Sequence, residues 1–368
     1  PNGAVLSWAS GDVMFYSDGY TIYDSAGNTM NGWTAGSTGA HRAAAQGVLF
    51  AKVPDLLMTS AGFDPADVPM GTLYWCFFNG MEGGIHVGVI DMNGNSGLGT
   101  FRGYLSLGAD GLNTSGIAGR LQGTENGTCG RMTSCCYVVD EDVIGLVILS
   151  KPWSDIGANN QWCMNKITEI SGPGGTAPGC PLLSSAFSNG VLQTYGTATA
   201  QNAAGRNGIV RCTRVEATDE TNKIATIYVE EPGLSSDPLL SAIVNIMTLD
   251  AVTTTLTNSV TFTISMLDYG ALAFPHPPGH PSRYFAKWLE WSHQSDGEDG
   301  VLYIPNYNTI TDDLDINWYT INVTNAIGAF GSTPVHDNGG NKIWGGLTHP
   351  GRIVAGMWAD PQNTGEIY

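Results

Sequence analysis

The side chains able to do chemistry in this sequence are few and scattered. His276 and His280 stand four apart, the spacing that would aim two imidazoles at one metal on a helix, but Pro277 and Pro278 lie between them and forbid that helix. The pair reads as polar punctuation of a proline-rich turn. His41, His86, His293, His336 and His349 are isolated. Glycoside hydrolysis would need two facing carboxyl groups some ~5 to 9.5 Å apart, whereas Glu125, Glu141, Glu169, Glu216 and Glu290 each stand alone, with no paired-carboxylate strand motif. Trp33, Trp75, Trp153, Trp162, Trp318, Trp344 and Trp358 could stack on sugar rings, although a core position is the commoner use of tryptophan.

Oxygen ligands are richer. Asp296–Asp299 and Asp312–Asp315 are loop-like stretches whose carboxylates suit calcium, the one ion the sequence leaves open. Asp91-Met92-Asn93-Gly94-Asn95 opens like a calcium loop, but Ser96 stands where glycine is needed and Arg102 where the closing glutamate belongs, so it reads as a turn. Nucleophile elbow, zinc-protease, phosphate-loop and dinucleotide fingerprints are all missing, and there is no Cys-x-x-Cys. The seven cysteines, Cys76, Cys129, Cys135, Cys136, Cys163, Cys180 and Cys212, are odd in number and irregular in spacing, which favours buried thiols over a disulfide framework. No catalytic, cofactor or metal residue is assigned.

What positions these residues is β-structure. Asn-Gly occurs at Asn2, Asn31, Asn79, Asn93, Asn126, Asn189, Asn207 and Asn338, and Asp-Gly at Asp18, Asp110, Asp296 and Asp299. Such dipeptides supply the positive φ that tight hairpins require. Between them the sequence predicts a meander at Ala4–Ala9, Asp12–Tyr16 and Gly19–Tyr23. Further strands are expected at Val48–Val53, Thr72–Phe78, Gly84–Asp91, Gly99–Leu107, Gly190–Tyr195, Ile209–Val215 and Lys223–Val229. Cys136–Val139 and Val143–Leu149 are continuous apolar runs and predict strands covered on both faces. Leu239–Leu249 suits a strand or a short helix. Thr255–Met266 alternates hydroxyl and apolar residues with one lapse at Asn258 and predicts a long strand. Tyr284, Phe285, Trp288 and Leu289 recur at helical spacing and predict a helix over Tyr284–Trp291. Beyond it, Gly300–Ile304, Asp315–Val323 and Arg352–Trp358 read as strands. No fixed-period repeat is visible.

Composition narrows the partners. Thirty-three acidic against fifteen basic side chains give a net charge of -18, and no basic run exists, which argues against nucleic acid as a direct ligand. Only 13% of residues are charged while 49 are glycine, so the surface is built of Thr, Ser, Asn and Gly. No apolar stretch reaches the roughly 18 residues of a membrane helix, so no span is expected.

The long strand of Thr255–Met266, the hinge Pro275-His276-Pro277-Pro278-Gly279-His280-Pro281 and the smaller unit behind it resemble, in plan, the coat proteins of small icosahedral viruses, in which a jelly-roll shell domain is followed by a projecting domain. The resemblance covers about Val252–Trp291. The strands and turn signals themselves predict an all-β, antiparallel fold with few short helices, a hinge at 276–281 and a smaller β-rich unit over 282–368; the resemblance implies that residues 1–275 are a β-sandwich or jelly-roll and that the unit behind the hinge projects or caps. It further implies a non-enzymatic structural virion protein, capsid or surface projection, that self-assembles with its own copies or other virion proteins and shows a host-attachment surface to a glycan or receptor. A secreted β-sandwich carbohydrate-active enzyme or lectin is the alternative, and a phage or bacterial adhesin a second.

Overall fold

The computed structural model describes residues 4–34, 46–64, 66, 69, 71–80, 84–104, 121, 123–124, 128–139, 142–152, 161–167, 191–194, 210–217, 221–230, 241–250, 256–265, 290–293, 299–308 and 313–322. They are β-strands joined by turns, with a single short helix and one 3-10 turn among them. The all-β class expected from the turn signals holds. The chain separates into two compact units, Pro1–Trp153 with Gln161–Thr194, and Ser154–Asn160 with Tyr195–Tyr368. The proline-rich hinge lies outside the described residues.

The first unit holds three sheets. The first is β1 (Ala4–Ser7), β2 (Val13–Ser17) and β3 (Ile22–Asp24); the second is β4 (Val48–Lys52), β5 (Leu73–Asn79), β6 (Ile85–Asp91) and β7 (Thr100–Tyr104); the third is β8 (Thr128–Val139), β9 (Asp142–Pro152), β10 (Gln161–Ile167) and β11 (Val191–Thr194). Helix α1 (Asp55–Ser60), which the sequence did not announce, sits between β4 and β5. The second unit holds β12 (Val210–Ala217), β13 (Thr221–Glu230), β14 (Ser241–Asp250) and β15 (Leu256–Ser265) in one sheet, and β16 (Glu290–His293), β17 (Asp299–Asn308) and β18 (Asp313–Asn322) in another.

In every sheet the strand order follows the chain, and every pairing is antiparallel between neighbours in sequence. A jelly-roll exchanges strands between two sheets by crossing connections; no such pairing occurs among the described residues, and the sheets are meanders of the kind that repeat as blades. The first strands of four successive sheets, at Val48, Thr128, Val210 and Glu290, are nearly evenly spaced along the chain, a repetition of structure with no repetition of sequence.

Period two explains how the first unit stacks. On β5, Leu73, Trp75 and Phe77 point to one side while Tyr74, Cys76 and Phe78 point to the other, and all are buried. The odd set joins Val87 and Val89 of β6, Leu57 and Met58 of α1, and Leu146 and Ile148 of β9 in one core between the second and third sheets. The even set joins Phe50, Ile90 and Phe101 with Met14, Phe15 and Ile22 in another core between the second sheet and the first. The middle sheet is thus dry on both faces, and each aromatic ring buried there stabilises the stack by roughly 1.5–3 kcal/mol.

Several local expectations change. Glu290 and Trp291 belong to strand β16 instead of ending a helix: the antiparallel ladder with β17 takes in Glu290–His293, with Trp291 opposite Leu302, and residues 284–289 lie outside the described residues. Leu239–Leu249 resolves as a strand, since Ser241–Asp250 pairs along its length with both β13 and β15. Asp299-Gly300 is not a turn but the start of β17, paired to Asn322 and Ile321. The lapse at Asn258 coincides with a bulge: Ile246 pairs Val260 and Met247 pairs Asn258, leaving Ser259 as the extra residue. Strand β10 was not expected at all.

Candidate functional site

The feature that stands out is the outer face of the first sheet. In β2 the register slips by one residue, with Leu6 opposite Phe15 but Ser7 opposite Val13, so Met14 is a bulge. A bulge turns two consecutive side chains the same way. Met14 and Phe15 are accordingly both buried against the second sheet, and Val13, which simple alternation would have placed beside Phe15, points outward at 41% exposure. Val5 faces Tyr16 across β1 and β2, and Tyr16 faces Tyr23 across β2 and β3. The two tyrosine rings stack, their centroids 5.0 Å apart and their planes 20° from parallel.

Of the four large hydrophobic side chains that are exposed among the described residues, Val5, Trp8, Val13 and Leu56, three belong to this face or its rim. Trp8 stands in the turn after β1, closed by bonds from Trp8 N to Asp12 O and from Gly11 N to Trp8 O, each 2.9 Å. Trp8 is 45% exposed.

Carboxylates flank β2 at both ends. Asp12 accepts a hydrogen bond from Ser10 Oγ at 2.9 Å. Asp18 accepts from Tyr20 N at 2.8 Å, Thr21 N at 2.7 Å and Tyr23 Oη at 3.2 Å. Partial burial pushes the Asp18 carboxyl up, but the bonds from Thr21, Tyr20 and Tyr23 together outweigh it and hold the group below the ordinary aspartate value. Asp18 is therefore ionised through the neutral range. No Lys or Arg occurs before Arg42, so nothing basic from this segment balances the two charges.

A second polar feature is structural. Arg102 is the extra residue of a bulge in β7, between Gly103 opposite Val89 and Phe101 opposite Ile90. Its guanidinium reaches back to Asp91 Oδ2, with Nε 3.1 Å and Nη2 2.5 Å away, while Asp91 Oδ1 accepts from Asn93 N at 2.9 Å. Asp91-x-Asn93-x-Asn95 is thereby a turn closed by an arginine, as its departures from calcium spacing implied.

The other residues weighed in the sequence lie on separate elements or outside the described set. His86 is buried on β6, its ring edge-on to Tyr104; His293 ends β16 opposite Gly300. Glu216 lies on β12 and Glu290 on β16, whereas Glu125, Glu141 and Glu169 lie outside the described residues. Trp33 and Trp75 are core side chains, not platforms. Trp162 and Trp318 sit within β10 and β18, and Trp153, Trp344 and Trp358 lie outside the described residues, as do His41, His276, His280, His336 and His349. Asp313–Asp315 opens β18 opposite Asn308, Tyr307 and Asn306, so these residues of the second acidic stretch are strand and not loop; Asp296 and Asp312 lie outside the described residues. Among the described residues no group of three or more His, Cys, Asp or Glu gathers to hold a metal.

Cys76, Cys135 and Cys163 are buried thiols, as the irregular spacing suggested. Cys136 is exposed, against the expectation that Cys136–Val139 is covered on both faces, while its neighbour Cys135 is buried. Sequence reasoning passed over Trp8, Val5, Val13, Tyr16 and Tyr23. The available signal was a Trp followed by Ala9-Ser10-Gly11-Asp12, a turn that cannot bury an indole on either strand it joins.

No protein-family model and no curated protein sequence matches the chain. Among solved structures, an endo-arabinase from Bacteroides thetaiotaomicron is similar at a TM-score of 0.33 and 10% identity, over 73% of this chain and 77% of that one. The β-propeller domain of Nup133 from Vanderwaltozyma polyspora is similar at a TM-score of 0.32 and 7% identity, over 91% of this chain and 84% of that one. Likenesses this slight say nothing of what the chain does.

Proposed function

We propose that this chain is a structural recognition protein, which acts by docking other protein surfaces onto a rigid stack of β-meanders and carries out no reaction of its own. The observation that carries the reading is that three of the four exposed large hydrophobics among the described residues belong to the first sheet or its first turn: Val5 and Val13 on the face that carries one stacked tyrosine pair, and Trp8 in the turn after β1. Contiguous apolar surface left in water is costly, and where it persists it marks a site of association. The sheet beneath is held by a middle sheet dry on both sides, which gives the face a stiff backing.

A virion protein that self-assembles into a capsid or projection and attaches to a host is the narrower form of this reading. Its support is the surface poor in charge and rich in Thr, Asn and Gly, together with the plan of the sequence.

Two measurements test these statements. The full chain is incubated with soluble polysaccharides and the release of reducing ends is followed; none is expected, and hydrolysis lost in Glu216→Gln or Glu290→Gln would replace recognition with catalysis. Negative-stain imaging with light scattering tests the narrower form: particles or fixed oligomers sustain it, and a monomer at every concentration removes the virion role while leaving the broader reading intact.

A further inference from the structure

We propose that the outer face of the first sheet is the docking site for an extended cationic segment of a partner protein, one in which lysine or arginine side chains alternate with apolar ones. This deepens the recognition reading above and rests on it.

Three properties of the face select that occupant. The first is its cross-strand row, Val5, Tyr16 and Tyr23, with Val13 beside it, which gives the face apolar and aromatic ground three strands wide. An extended segment lying alongside β1 would place every second side chain on the side of the sheet that carries this row. The second is the edge. Strand β1 ends its sheet's order and has no strand neighbour on its outer side among the described residues, the position at which a partner strand can be added.

Charge is the third property and decides between partners. Asp12 and Asp18 are exposed at the two ends of β2, and no Lys or Arg precedes Arg42. A second copy laid on this face would set carboxylate against carboxylate, which disfavours the pairing of like surfaces. A cationic segment would set its charged heads against Asp12 and Asp18 and its stems along the tyrosine faces, where the ring quadrupole attracts ammonium and guanidinium groups. The Asp18 carboxylate is already fixed by three donors, so it meets a cation without further ordering.

The probe is a synthetic peptide of alternating lysine and valine, dye-labelled, titrated with the full chain and read by fluorescence anisotropy; an alternating glutamate and valine peptide is the comparison. The lysine peptide is expected to bind and the glutamate peptide not to. Val13→Lys and Val13→Glu place equal bulk at an exposed site with opposite charge, so they share any cost in folding; Val13→Lys is expected to weaken lysine-peptide binding by about tenfold or more, and Val13→Glu to leave it or tighten it. Equal effects of the two substitutions, equal binding of the two peptides, or no binding of either would overturn the proposal. If neither peptide binds but light scattering shows a dimer that Val13→Lys breaks, the occupant is a second copy: the inference fails and the recognition reading stands. If neither binds, no dimer forms and the Trp8 emission, taken as the difference from Trp8→Phe, is shielded from acrylamide, the face is covered by the chain itself and both fail.

Discussion

Replacing Gly32 by alanine should destabilise the first unit by about 3 kcal/mol, and two other glycines show why. Gly32 has φ +78°, and a Cβ there would collide with the carbonyl oxygen of Phe101 and approach the Phe101 carbonyl carbon to 3.3 Å. The left-handed conformation costs an alanine roughly 1–2 kcal/mol, of which about 0.4–1 is offset because alanine also restricts the unfolded chain. The collision adds to this. The obstacle is backbone and cannot rotate away, so the segment must shift, and the bond from Phe101 N to Asn31 O at 2.8 Å that ties the first sheet's loop to β7 weakens, a net loss near ~1 kcal/mol. Trp33, packed 4.7 Å from Phe101 and 5.3 Å from Phe78, loosens with it and loses about another 0.5–1.5 kcal/mol. Gly11 and Gly27 have φ +91° and +82°, but a Cβ at Gly11 meets nothing within 4 Å and one at Gly27 meets only Tyr16 Oη at 3.8 Å. Gly11→Ala and Gly27→Ala therefore isolate the conformational part and should cost about 1 kcal/mol each. Urea unfolding followed by tryptophan emission reads the difference as a shift in midpoint at unchanged slope. Midpoints of the three variants agreeing within about 0.5 kcal/mol would refute the close approach of residues 31–32 to β7.

Gly88→Ala should cost about 1–3 kcal/mol by overpacking, since its Cβ would lie 2.6 Å from Phe101 Cε2 and 3.0 Å from Cys76 Sγ; Phe101→Leu in the same chain should recover part of the loss in the same urea experiment. Asp18, held below its ordinary value in the fold, contributes stability that is fully present above its unfolded pKa and is lost as pH falls through the lower folded one; acid unfolding of Asp18→Asn should lack that part of the acid limb, and an unchanged acid limb would contradict the three-donor turn. Burial pushes the Cys76 thiol well up, against backbone hydrogen bonds at Gly88 and Cys76 itself, so a pulse of iodoacetamide followed by peptide mass spectrometry should label exposed Cys136 in the native chain and Cys76 only after unfolding. Labelling of Cys76 at the rate of Cys136 would contradict the dry core between the first two sheets.

Much of the fold was legible because its signals are local. Asn79-Gly80 marks the hairpin between β5 and β6, and the alternation of Thr255–Met266 marks β15 to within a residue at each end. What a short window does not carry is context. Trp291 and its neighbours satisfy helical spacing and strand pairing alike, and only Leu302, eleven residues on, decides for the strand. Asp299-Gly300 has the composition of a turn, but His293 and Ile321 on either side of Gly300 hold it in a ladder. The even placement of the sheets along the chain leaves no mark in the residues, because each sheet is specified by alternation and turns and needs no shared side chains.

The candidate face escaped the sequence for a sharper reason. Alternation assigns Val13 and Phe15 to one side of β2 and Met14 and Tyr16 to the other, which would bury Val13 and leave Met14 in water. One inserted residue reverses the assignment for everything before it: Met14 joins Phe15 in the core, and Val13 joins Tyr16, Tyr23 and Val5 outside. A bulge has no composition signature here, since Val, Met, Phe and Tyr all suit a strand, and it shows only in the pairing with the partner strand, where Ser7 meets Val13 while Leu6 meets Phe15. The same slip that buries Met14 beside Phe15, whose ring packs on Phe50 and Tyr74, is thus what leaves a valine facing outward beside the stacked tyrosines, so the core and the face are set by one register choice and cannot be altered independently.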